Sequence, residues 1–384
     1  MIKIEEVTKK YPGMERPAVD KLSLNIEEGE ICVFVGPSGC GKTTTLKMIN
    51  LIIEPSGGKI FVNGENILEQ DANELRKKIG YVIQKTGLFP HYTVFDNIAV
   101  VPNLLGWEEE QVEKRVVELL KMMNLDPDEN RDKFPKALSG GQSQRVGVAR
   151  AMAADPPVML MDEPFGAVDP ITRNQLQNEF LKLQQKVKKT ICFVTHDIDE
   201  AIKMGDKIAI LDQGKLVQYD TPENILLNPV NEFVEEFVGS DRSLKVLNLL
   251  RVTTVMRKNI KRVKDKTGFE EIKKYFSNPE KNRILIENDE KHVVGYLAKE
   301  EYHKISTAKG WNKAIRIFPA SLNEHNTLKD AMADMLQHNI AALPVMDDND
   351  QFMGIVSFTD IQAYIGEAYE ENDNEKDQDE NEVL

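Results

Sequence analysis

Short apolar, β-branched runs alternate with amphipathic segments over the first 240 residues. Apolar positions at helical spacing predict helices over residues 108–124 and 172–187. Buried strands are predicted at four runs: ICVFV (31–35), PVMLM (157–161), TICFVT (190–195) and KIAIL (207–211). This alternation predicts an α/β domain with a largely parallel central sheet, ending near Gly239-Ser240.

The pattern changes after residue 240 into two weakly similar units, residues 245–306 and 315–366. Each has a helical pattern, a strand, a polar turn, and a second strand ending in a helix. In the second unit, Thr327 and Asp330 predict a capping box, with Asp in the place of Glu. The strand-turn-strand LPVMDDNDQFMGIVS follows. We therefore expect an α/β domain followed by an α+β tandem.

Size and composition allow two or three domains, since the chain has 384 residues and 41% hydrophobic content. No apolar stretch approaches the roughly 18 residues of a membrane-spanning helix. The N-terminus, MIKIEEVTKK, is too polar for a secretory signal. The three cysteines, Cys32, Cys40 and Cys192, are widely spaced, so reduced thiols are expected rather than disulfides or a zinc site. These features predict a cytosolic protein.

The formal net charge of -14 is concentrated at the C-terminus, where residues 367–384 hold nine acids and one lysine. This tail is predicted to be disordered, and the acidic balance disfavours general nucleic-acid binding. The opposite charge gathers in residues 257–266, which hold six basic residues and one acid. That segment is interpreted either as a solvated face or as a patch that senses ionic strength at anionic lipids, for which the tail could compete.

A phosphate-binding loop is predicted where the strand ICVFV runs into GPSGCGKT, which fits G-x-x-x-x-G-K-[ST]. Glycines let backbone N–H groups approach phosphates, and the following helix adds its positive dipole end. Lys42 is expected to reach the β- and γ-phosphates, and Thr43 to ligate Mg²⁺. The predicted binding residues are Gly36, Pro37, Ser38, Gly39, Cys40, Gly41, Lys42, Thr43 and Thr44.

A second chemical element, VMLMDEP (158–164), places two carboxylates at the end of an apolar strand. Asp162 would hold the metal, directly or through water, and Glu163 would polarise the attacking water. A solvated acidic turn explains such a strand end equally well. Two further features decide between them: LSGGQ (138–142) followed by SQR, and His196 at the end of TICFVT.

With these parts present and in order, residues 1–240 resemble the ABC (ATP-binding cassette) transporter ATPase family. The resemblance implies that each ATP lies between two ATPase subunits, hence a homodimer. It implies that Tyr11 stacks on adenine and that Gln84 touches Mg²⁺ and senses the membrane partner. Glu163 becomes the catalytic base, and His196 holds the γ-phosphate.

The same resemblance assigns a second group of residues to the ATP of the other subunit. Ser139, Gly140, Gly141 and Gln142 form that anion site, at a helix N-terminus. Asp169, in the segment GAVD, is implied to contact across the dimer. Val168 stands where the family usually has leucine, and this conservative change leaves Asp169 in place.

Within the family, residues 46–67 and 79–102 resemble the ATPase subunits of osmoprotectant importers. These power uptake of glycine betaine, carnitine or choline from the cytoplasmic face of the membrane, through permease subunits and a substrate-binding protein. The alternatives are another polar-amine or amino-acid importer, a soluble ABC ATPase, and a nucleotide sensor that has lost hydrolysis. The chain itself does not determine which amine is carried.

Residues 245–366 resemble a tandem pair of CBS modules, giving predicted domains of 1–240, 241–306 and 307–366 before the tail 367–384. In the second module GIVSFTD (354–360) matches G-x-[IV]-[ST]-x-x-D, so Ser357 and Asp360 are expected to bind a ribose beside free helix N–H groups. The first, divergent module has Ala298 and Glu301 at these offsets. The expected ligand is cyclic di-AMP across a two-fold axis or an ordinary adenine nucleotide, and the alternative is a purely structural dimerisation unit.

Overall fold

The computed structural model describes residues 1–83, 87–166, 168–278, 283–289, 293–304 and 311–366. Gln84 and the acidic segment 367–384 therefore lie outside the described residues. The chain forms two compact units, one of Met1–Ile225 with Pro229–Gly239, the other of Leu226–Asn228 with Ser240–Leu384.

Two sheets organise the first unit. The strands are β1 (Ile2–Lys9), β2 (Val19–Ile26), β3 (Ile31–Val35), β4 (Gly57–Val62), β5 (Glu65–Asn66), β6 (Ile79–Val82), β7 (Val158–Asp162), β8 (Thr190–Val194), β9 (Lys207–Asp212) and β10 (Lys215–Asp220). An antiparallel sheet has the order β2-β1-β4-β5. The central sheet has the order β10-β9-β3-β8-β7-β6 and is parallel except at its β10 edge. The predicted largely parallel sheet is confirmed.

Complete burial explains why the central strands are continuous apolar runs. Every residue of β3, β7 and β8 is buried, as expected for parallel strands covered on both faces. The three cysteines are free and buried within this unit, as predicted. Burial raises the pKa of the Cys192 thiol well above its usual value, so it remains protonated.

Helices lie between these strands and after β10. They are α1 (Lys42–Ile49), α2 (Ala72–Lys77), α3 (Val94–Leu104), α4 (Glu109–Met122), α5 (Pro127–Asn130), α6 (Gly140–Met152), α7 (Pro170–Val187), α8 (Ile198–Met204), α9 (Pro222–Leu227) and α10 (Glu232–Val238). The end of α9, from Leu226, belongs to the second of the two units. The predicted helices at 108–124 and 172–187 correspond to α4 and α7. The latter begins two residues early, because Asp169 caps it and Pro170 occupies its first turn. Within the described ranges, no helix combines the length and apolarity needed to cross a bilayer.

The second unit contains two small sheets, ordered β11-β12-β13 and β14-β15-β16. Its elements are α11 (Arg242–Leu249), α12 (Val252–Val255), β11 (Arg262–Lys264), α13 (Phe269–Phe276), β12 (Arg283–Glu287), β13 (Val293–Ala298), α14 (Lys299–Lys304), β14 (Leu322–Asn323), α15 (Leu328–Gln337), β15 (Ala342–Met346) and β16 (Phe352–Ser357), followed by helical residues 358–366. The capping box predicted for Thr327 and Asp330 opens α15.

The two halves of this unit are a structural repeat with a constant offset of 59 positions, which separates β12 from β15 and β13 from β16. Each half pairs with a residue outside it: Tyr296 of β13 bridges to Arg316, and Ile355 of β16 bridges to Arg257. A glycine precedes each bridged strand residue, because the backbone of the bridging arginine leaves no room for a Cβ atom there. A Cβ at Gly295 would lie 2.4 Å from the Arg316 carbonyl oxygen, and one at Gly354 would lie 2.6 Å from that of Arg257.

We predict that Met335→Ala and Leu336→Ala, neighbouring changes on α15, differ sharply in stability. Met335 is fully buried, whereas Leu336 is 68% exposed. We expect Met335→Ala to lower the free energy of unfolding of the second unit by about 2–4 kcal/mol, and Leu336→Ala by less than about 0.5 kcal/mol. Urea unfolding followed by Trp311 fluorescence, with Trp107→Phe in the background, measures both. Equal losses would contradict the described packing.

Candidate functional site

The loop between β3 and α1 has a backbone that only glycine permits at two positions. Gly36 has φ 147°, and a Cβ there would lie 2.0 Å from the Leu211 carbonyl oxygen of β9. Gly41 has φ 106°, and its Cβ would lie 2.5 Å from the Ala18 carbonyl oxygen. Both values lie in the left-handed region, where L side chains are strained. The loop is therefore held against two neighbouring chain segments.

The first turn of α1 presents positive charge to this loop. Gly41, as N-cap, has no side chain to accept the first helical N–H groups, which leaves them for an anion at the positive end of the dipole. Lys42 is only 7% exposed. Its Nζ donates to the carbonyl oxygens of Gly36 at 2.7 Å and Pro37 at 2.9 Å. The ammonium is thus fixed inside the loop.

The remaining predicted loop residues differ in burial and in their contact with this ammonium. The Cys40 sulfur is 3.5 Å from Lys42 Nζ, and burial raises the pKa of its thiol. Ser38 and Gly39 are exposed, and Thr44 is half-buried on α1. The loop therefore has a buried base and an exposed rim.

The carboxyl ends of β7 and β8 bring four predicted residues together. Thr43 Oγ1 donates to Asp162 Oδ1 at 3.0 Å. Burial raises the pKa of Asp162, and the Thr43 hydrogen bond opposes this rise. Next to it, Glu163 Oε1 lies 3.2 Å from His196 Nδ1. The site thus joins a buried carboxylate that can hold a cation to an accessible carboxylate–imidazole pair.

Glu163 has a strained backbone, a feature that residue patterns did not reveal. Its φ is 46°, in the left-handed region, which costs a non-glycine residue about 1–2 kcal/mol. Its N–H donates to the Val194 carbonyl oxygen of β8 at 3.0 Å. Strain of this kind concentrates at functional sites. Here it accompanies the turn that brings the carboxylate beside His196.

A second group of predicted residues forms the start of α6. Ser139 is the N-cap, and its Oγ accepts from Gln142 N at 3.2 Å while Gln142 Oε1 accepts from Ser139 N at 2.9 Å. Gly140 begins the helix. A Cβ at Gly141 would lie 3.3 Å from Thr172 Cγ2, so this turn packs against the first turn of α7.

Asp169 caps α7 beside that turn. Its carboxylate accepts from Thr172 N at 3.1 Å, and this backbone hydrogen bond lowers the pKa of Asp169. The hydrogen bonds described for Ser139, Gln142 and Asp169 stay within their own helix starts. None of them reaches the loop of residues 36–43 in the part of the chain that the structure describes.

Tyr11 follows β1 and is half-exposed. The Lys9 Nζ lies 5.3 Å from the centroid of its ring, so a cation covers part of the aromatic surface. The described contacts do not connect Tyr11 to Lys42 or Thr43, and Gln84 lies outside the described residues.

A cleft of about 430 Å³ adjoins the chain on both sides of residues 84–86, and motif reasoning did not identify it. Its lining includes Ile83, Phe89 and Val101, and the side chains of Ile83 and Phe89 are exposed. Arg150 donates to the Gly87 carbonyl oxygen at 2.8 Å, and its guanidinium lies 5.8 Å from the Phe89 ring centroid. Burial lowers the pKa of Arg150. The apolar residues Ile83 and Phe89, on either side of Gln84 in the sequence, are the signal that could have indicated this surface.

Ser357 and Asp360, the predicted ribose-binding pair, are bound to each other. Ser357 Oγ donates to Asp360 Oδ2 at 2.5 Å, and Asp360 N donates back to Ser357 Oγ at 3.2 Å. The expectation of free helix N–H groups around this pair is therefore wrong at Asp360, because the serine hydroxyl caps that N–H group. Arg257 also binds the pair, with Nε 3.0 Å from Asp360 Oδ1 and Nη2 3.3 Å from Ser357 Oγ.

The first half of the second unit repeats this pairing at the 59-residue offset. Arg316 binds Glu301, in the places of Arg257 and Asp360. Ala298, in the place of Ser357, has no hydroxyl. Arginine–carboxylate pairs thus occupy equivalent positions in the two halves, and a serine accompanies the pair in the second half.

The basic segment 257–266 is partly neutralised by neighbouring acids. Besides the pair made by Arg257, Arg262 lies 3.5 Å from Glu287, and Lys264 lies 3.6 Å from Asp289. Lys266 also pairs with Asp289 and lowers the pKa of that carboxyl group. The described side chains of this segment therefore alternate with neighbouring acids and do not form a continuous cationic surface.

Comparison with known proteins gives matches to two families and to full-length relatives. Residues 19–166 match the ABC transporter family, and residues 316–367 match the CBS domain family. The chain is 47% identical over 367 residues to the choline transport ATP-binding protein OpuBA of Bacillus subtilis, covering 93% of this chain and 94% of OpuBA. It is also 47% identical over 362 residues to the glycine betaine/carnitine/choline transport ATP-binding protein OpuCA of the same organism, with the same coverage.

A solved structure matches the first part of the chain. It is the ATP-binding cassette MJ0796 in a dimeric post-hydrolysis state bound to ADP and Pi. The TM-score is 0.53 at 35% identity, and the match covers 58% of this chain and 99% of that one.

We predict that Gly36→Ala disrupts the loop and that Gly39→Ala is tolerated. A Cβ at position 36 meets a backbone oxygen, whereas a Cβ at position 39 meets nothing within 4 Å, although φ is 84° there. The expected losses in the free energy of unfolding are about 3–5 kcal/mol for Gly36→Ala and about 1–2 kcal/mol for Gly39→Ala. Urea unfolding followed by Trp107 fluorescence compares them. A Gly36→Ala protein as stable as Gly39→Ala would contradict the described packing against β9.

Proposed function

The chain belongs to the ATP-binding subunits of osmoprotectant ABC transporters, and on this premise we propose that it hydrolyses ATP to power the import of quaternary amines such as glycine betaine, carnitine and choline. The observation that carries the proposal is the convergence of Thr43, Asp162, Glu163 and His196 at the ends of neighbouring strands. An ion site and a hydrolytic pair stand next to a phosphate loop there, as phosphoryl transfer requires.

In the proposed mechanism, the loop and Lys42 bind the ATP phosphates. The backbone N–H groups at the start of α1 donate to phosphate oxygens, and the ammonium turns from its own carbonyl partners toward the β- and γ-phosphates. The Thr43 hydroxyl and the Asp162 carboxylate are hard oxygen ligands that fit Mg²⁺. When bound, Mg²⁺ offsets the charge that builds up on the phosphate oxygens.

Hydrolysis is assigned to the carboxylate–imidazole pair. Glu163 accepts a proton from the attacking water, whose oxygen bonds to the γ-phosphorus as the bond to the β–γ bridging oxygen breaks. His196 donates its ring N–H to the γ-phosphate. ADP and phosphate are the products.

We assign the α6 start to the ATP of a second copy of the chain. Ser139 and the glycines after it form an anion site at a helix N-terminus, and Ser139 keeps its hydroxyl proton for donation. Their described hydrogen bonds do not involve the chain's own loop, which suits a role toward a partner. Asp169 would make its contact across the same homodimer interface.

The cleft beside Ile83, Phe89 and Arg150 suits the permease subunits. Its exposed apolar side chains can bury the apolar face of a helix, and the arginine can bind that helix's carbonyl oxygens or acids. Gln84 stands between Ile83 and Phe89 in the sequence and would report permease contact to Mg²⁺. The protein would thus work at the cytoplasmic face of the membrane, with the substrate-binding protein acting through the permease.

A regulatory nucleotide is proposed for the second unit, with cyclic di-AMP favoured and an ordinary adenine nucleotide as the alternative. Ser357 and Asp360 would bind ribose hydroxyls. Arg257 would give up its ion pair with Asp360 and form one with a phosphate of the ligand. Because only one half has the serine, two copies of the chain would form one symmetric site. A symmetric dinucleotide fits such a site, and its binding would inhibit transport.

For the hydrolytic assignment we predict that Glu163→Gln leaves ATP binding near normal and lowers the hydrolysis rate by on the order of 10²–10⁴-fold, since a general base is lost. A nucleotide-bound dimer should accumulate. Steady-state phosphate release and size-exclusion chromatography with Mg·ATP measure these effects. Glu109→Gln, at an exposed position on α4, is the matched control. Near-normal turnover in Glu163→Gln would remove Glu163 from the mechanism.

For the regulatory site we predict that cyclic di-AMP binds the full chain at micromolar concentration and that Asp360→Ala abolishes this binding, because the ribose loses its acceptor. Glu301→Ala, the equivalent change in the other half, should retain it. Titration calorimetry compares the variants, with AMP and ATP as competing ligands. If Asp360→Ala still binds cyclic di-AMP, the proposed location of the site is wrong. If none of these nucleotides binds, the second unit is better interpreted as a structural dimerisation unit.

A further inference from the structure

We propose that Gln177 and Glu200 are positioning residues for ATP hydrolysis: they fasten the segment that carries His196 to α7, the helix that begins at Asp169. This inference rests on the proposed roles of His196 and Asp169. It adds a connection between them that neither motif contains.

The first contact of this connection is a buried amide–carboxylate pair. Gln177 on α7 is 4% exposed and Glu200 on α8 is 8% exposed. Gln177 Nε2 donates to Glu200 Oε1 at 2.9 Å. Leaving a buried carboxylate without its hydrogen bond costs free energy. This pair therefore keeps α7 and α8 in a fixed relative position.

The second contact leads from Glu200 to the backbone around His196. Glu200 N donates to the Asp197 carboxylate, which caps α8 directly after the histidine, at 3.3 Å. Asp197 N in turn donates at 3.1 Å to the hydroxyl oxygen of Thr195, the residue before the histidine, which is 2% exposed. Burial raises the pKa of Glu200, and the polar side chains of Thr195 and Gln177 oppose that rise. Glu200 is thus joined through Asp197 to the segment that carries His196.

Arg173 makes a parallel connection one helical turn earlier on α7. Its Nη2 donates to the Val168 carbonyl oxygen at 3.0 Å, and its Nη1 lies 4.0 Å from Asp197 Oδ2. Positions 173 and 177 share one face of the helix. One face of α7 therefore binds the segment before Asp169 through Arg173 and the segment around His196 through both side chains.

This connection makes the position of His196 depend on whether the dimer is closed. A contact made by Asp169 with a second subunit acts on the N-terminus of α7, and the helix transmits it as a rigid element to the Gln177–Glu200 pair. The position of His196 is then coupled to closure of the dimer. A pair that only stabilised the fold would affect all nucleotides alike, whereas a positioning pair affects only steps that involve the γ-phosphate.

The test uses the full-length chain with Gln177→Leu, Glu200→Gln and the swapped double variant Gln177→Glu with Glu200→Gln. We expect Gln177→Leu to lower kcat roughly 5- to 50-fold, because a misplaced catalytic group costs rate. The KM for ATP and the Kd for Mg·ADP should change by less than about 2-fold, since uniform binding is retained. In the swapped variant, the new amide at position 200 donates to the new carboxylate at 177, so the contact between α7 and α8 is kept with its direction reversed. It should recover most of the lost rate.

A second measurement separates positioning from simple loosening of the fold. If Gln177 acts through His196, adding Gln177→Leu to His196→Ala should lower kcat no further than His196→Ala alone. Multiplied effects, a parallel loss of Mg·ADP affinity, or no rescue by the swap would each overturn the proposal. Full activity in His196→Ala would overturn the assigned role of His196 as well, whereas an inactive His196→Ala with unaffected Gln177→Leu would overturn the positioning role alone.

Discussion

Parallel hydrogen bonding between β3, β8 and β7 is the constraint on which the nucleotide site depends. It aligns the carboxyl ends of three strands, so that the phosphate loop, the two acids and the histidine emerge at one edge of the sheet. Register matters, because a shift of one residue in a parallel strand reverses which face each side chain takes. Asp162 reaches Thr43 only because β7 ends where it does relative to β3. The five-residue strands lie deep in the core, and their burial fixes that register.

Local signals predicted the parts of the fold that local forces determine. Fully apolar runs became buried strands, and Thr327 with Asp330 became the capping box, since both depend on neighbouring residues alone. The strained backbone of Glu163, the Gln177–Glu200 pair and the Arg257–Asp360 pair depend on contacts far apart in the chain. Sequence patterns carry no record of such geometry. The prediction of free N–H groups beside Ser357 was wrong at Asp360 for a local reason, because Ser357 and Asp360 cap each other in the way that Thr327 and Asp330 do at α15.

The two units satisfy their buried or semi-buried charges differently. In the first, the Asp162 carboxylate accepts from the Thr43 hydroxyl, and Glu163 lies beside the exposed ring of His196. In the second, arginine binds Asp360 and Glu301 directly, so a ligand of either carboxylate must compete with an existing ion pair. A ligand must therefore carry enough charge and enough hydrogen-bonding groups to replace that ion pair.

In the second unit, one strand of each small sheet forms a backbone bridge with an arginine outside its own half. These bridges impose an order on the folding of the unit. Arg257 bridges to Ile355, so the early part of this unit cannot complete its backbone pairing until residue 355, about 100 residues later, has been synthesised. At bacterial or eukaryotic elongation rates of about 5–20 residues per second, that interval lasts on the order of 5–20 s. During it, the apolar residues of β12 and β13 depend on their own small sheet for cover. A nascent chain therefore passes through a period in which chaperones can compete with native pairing.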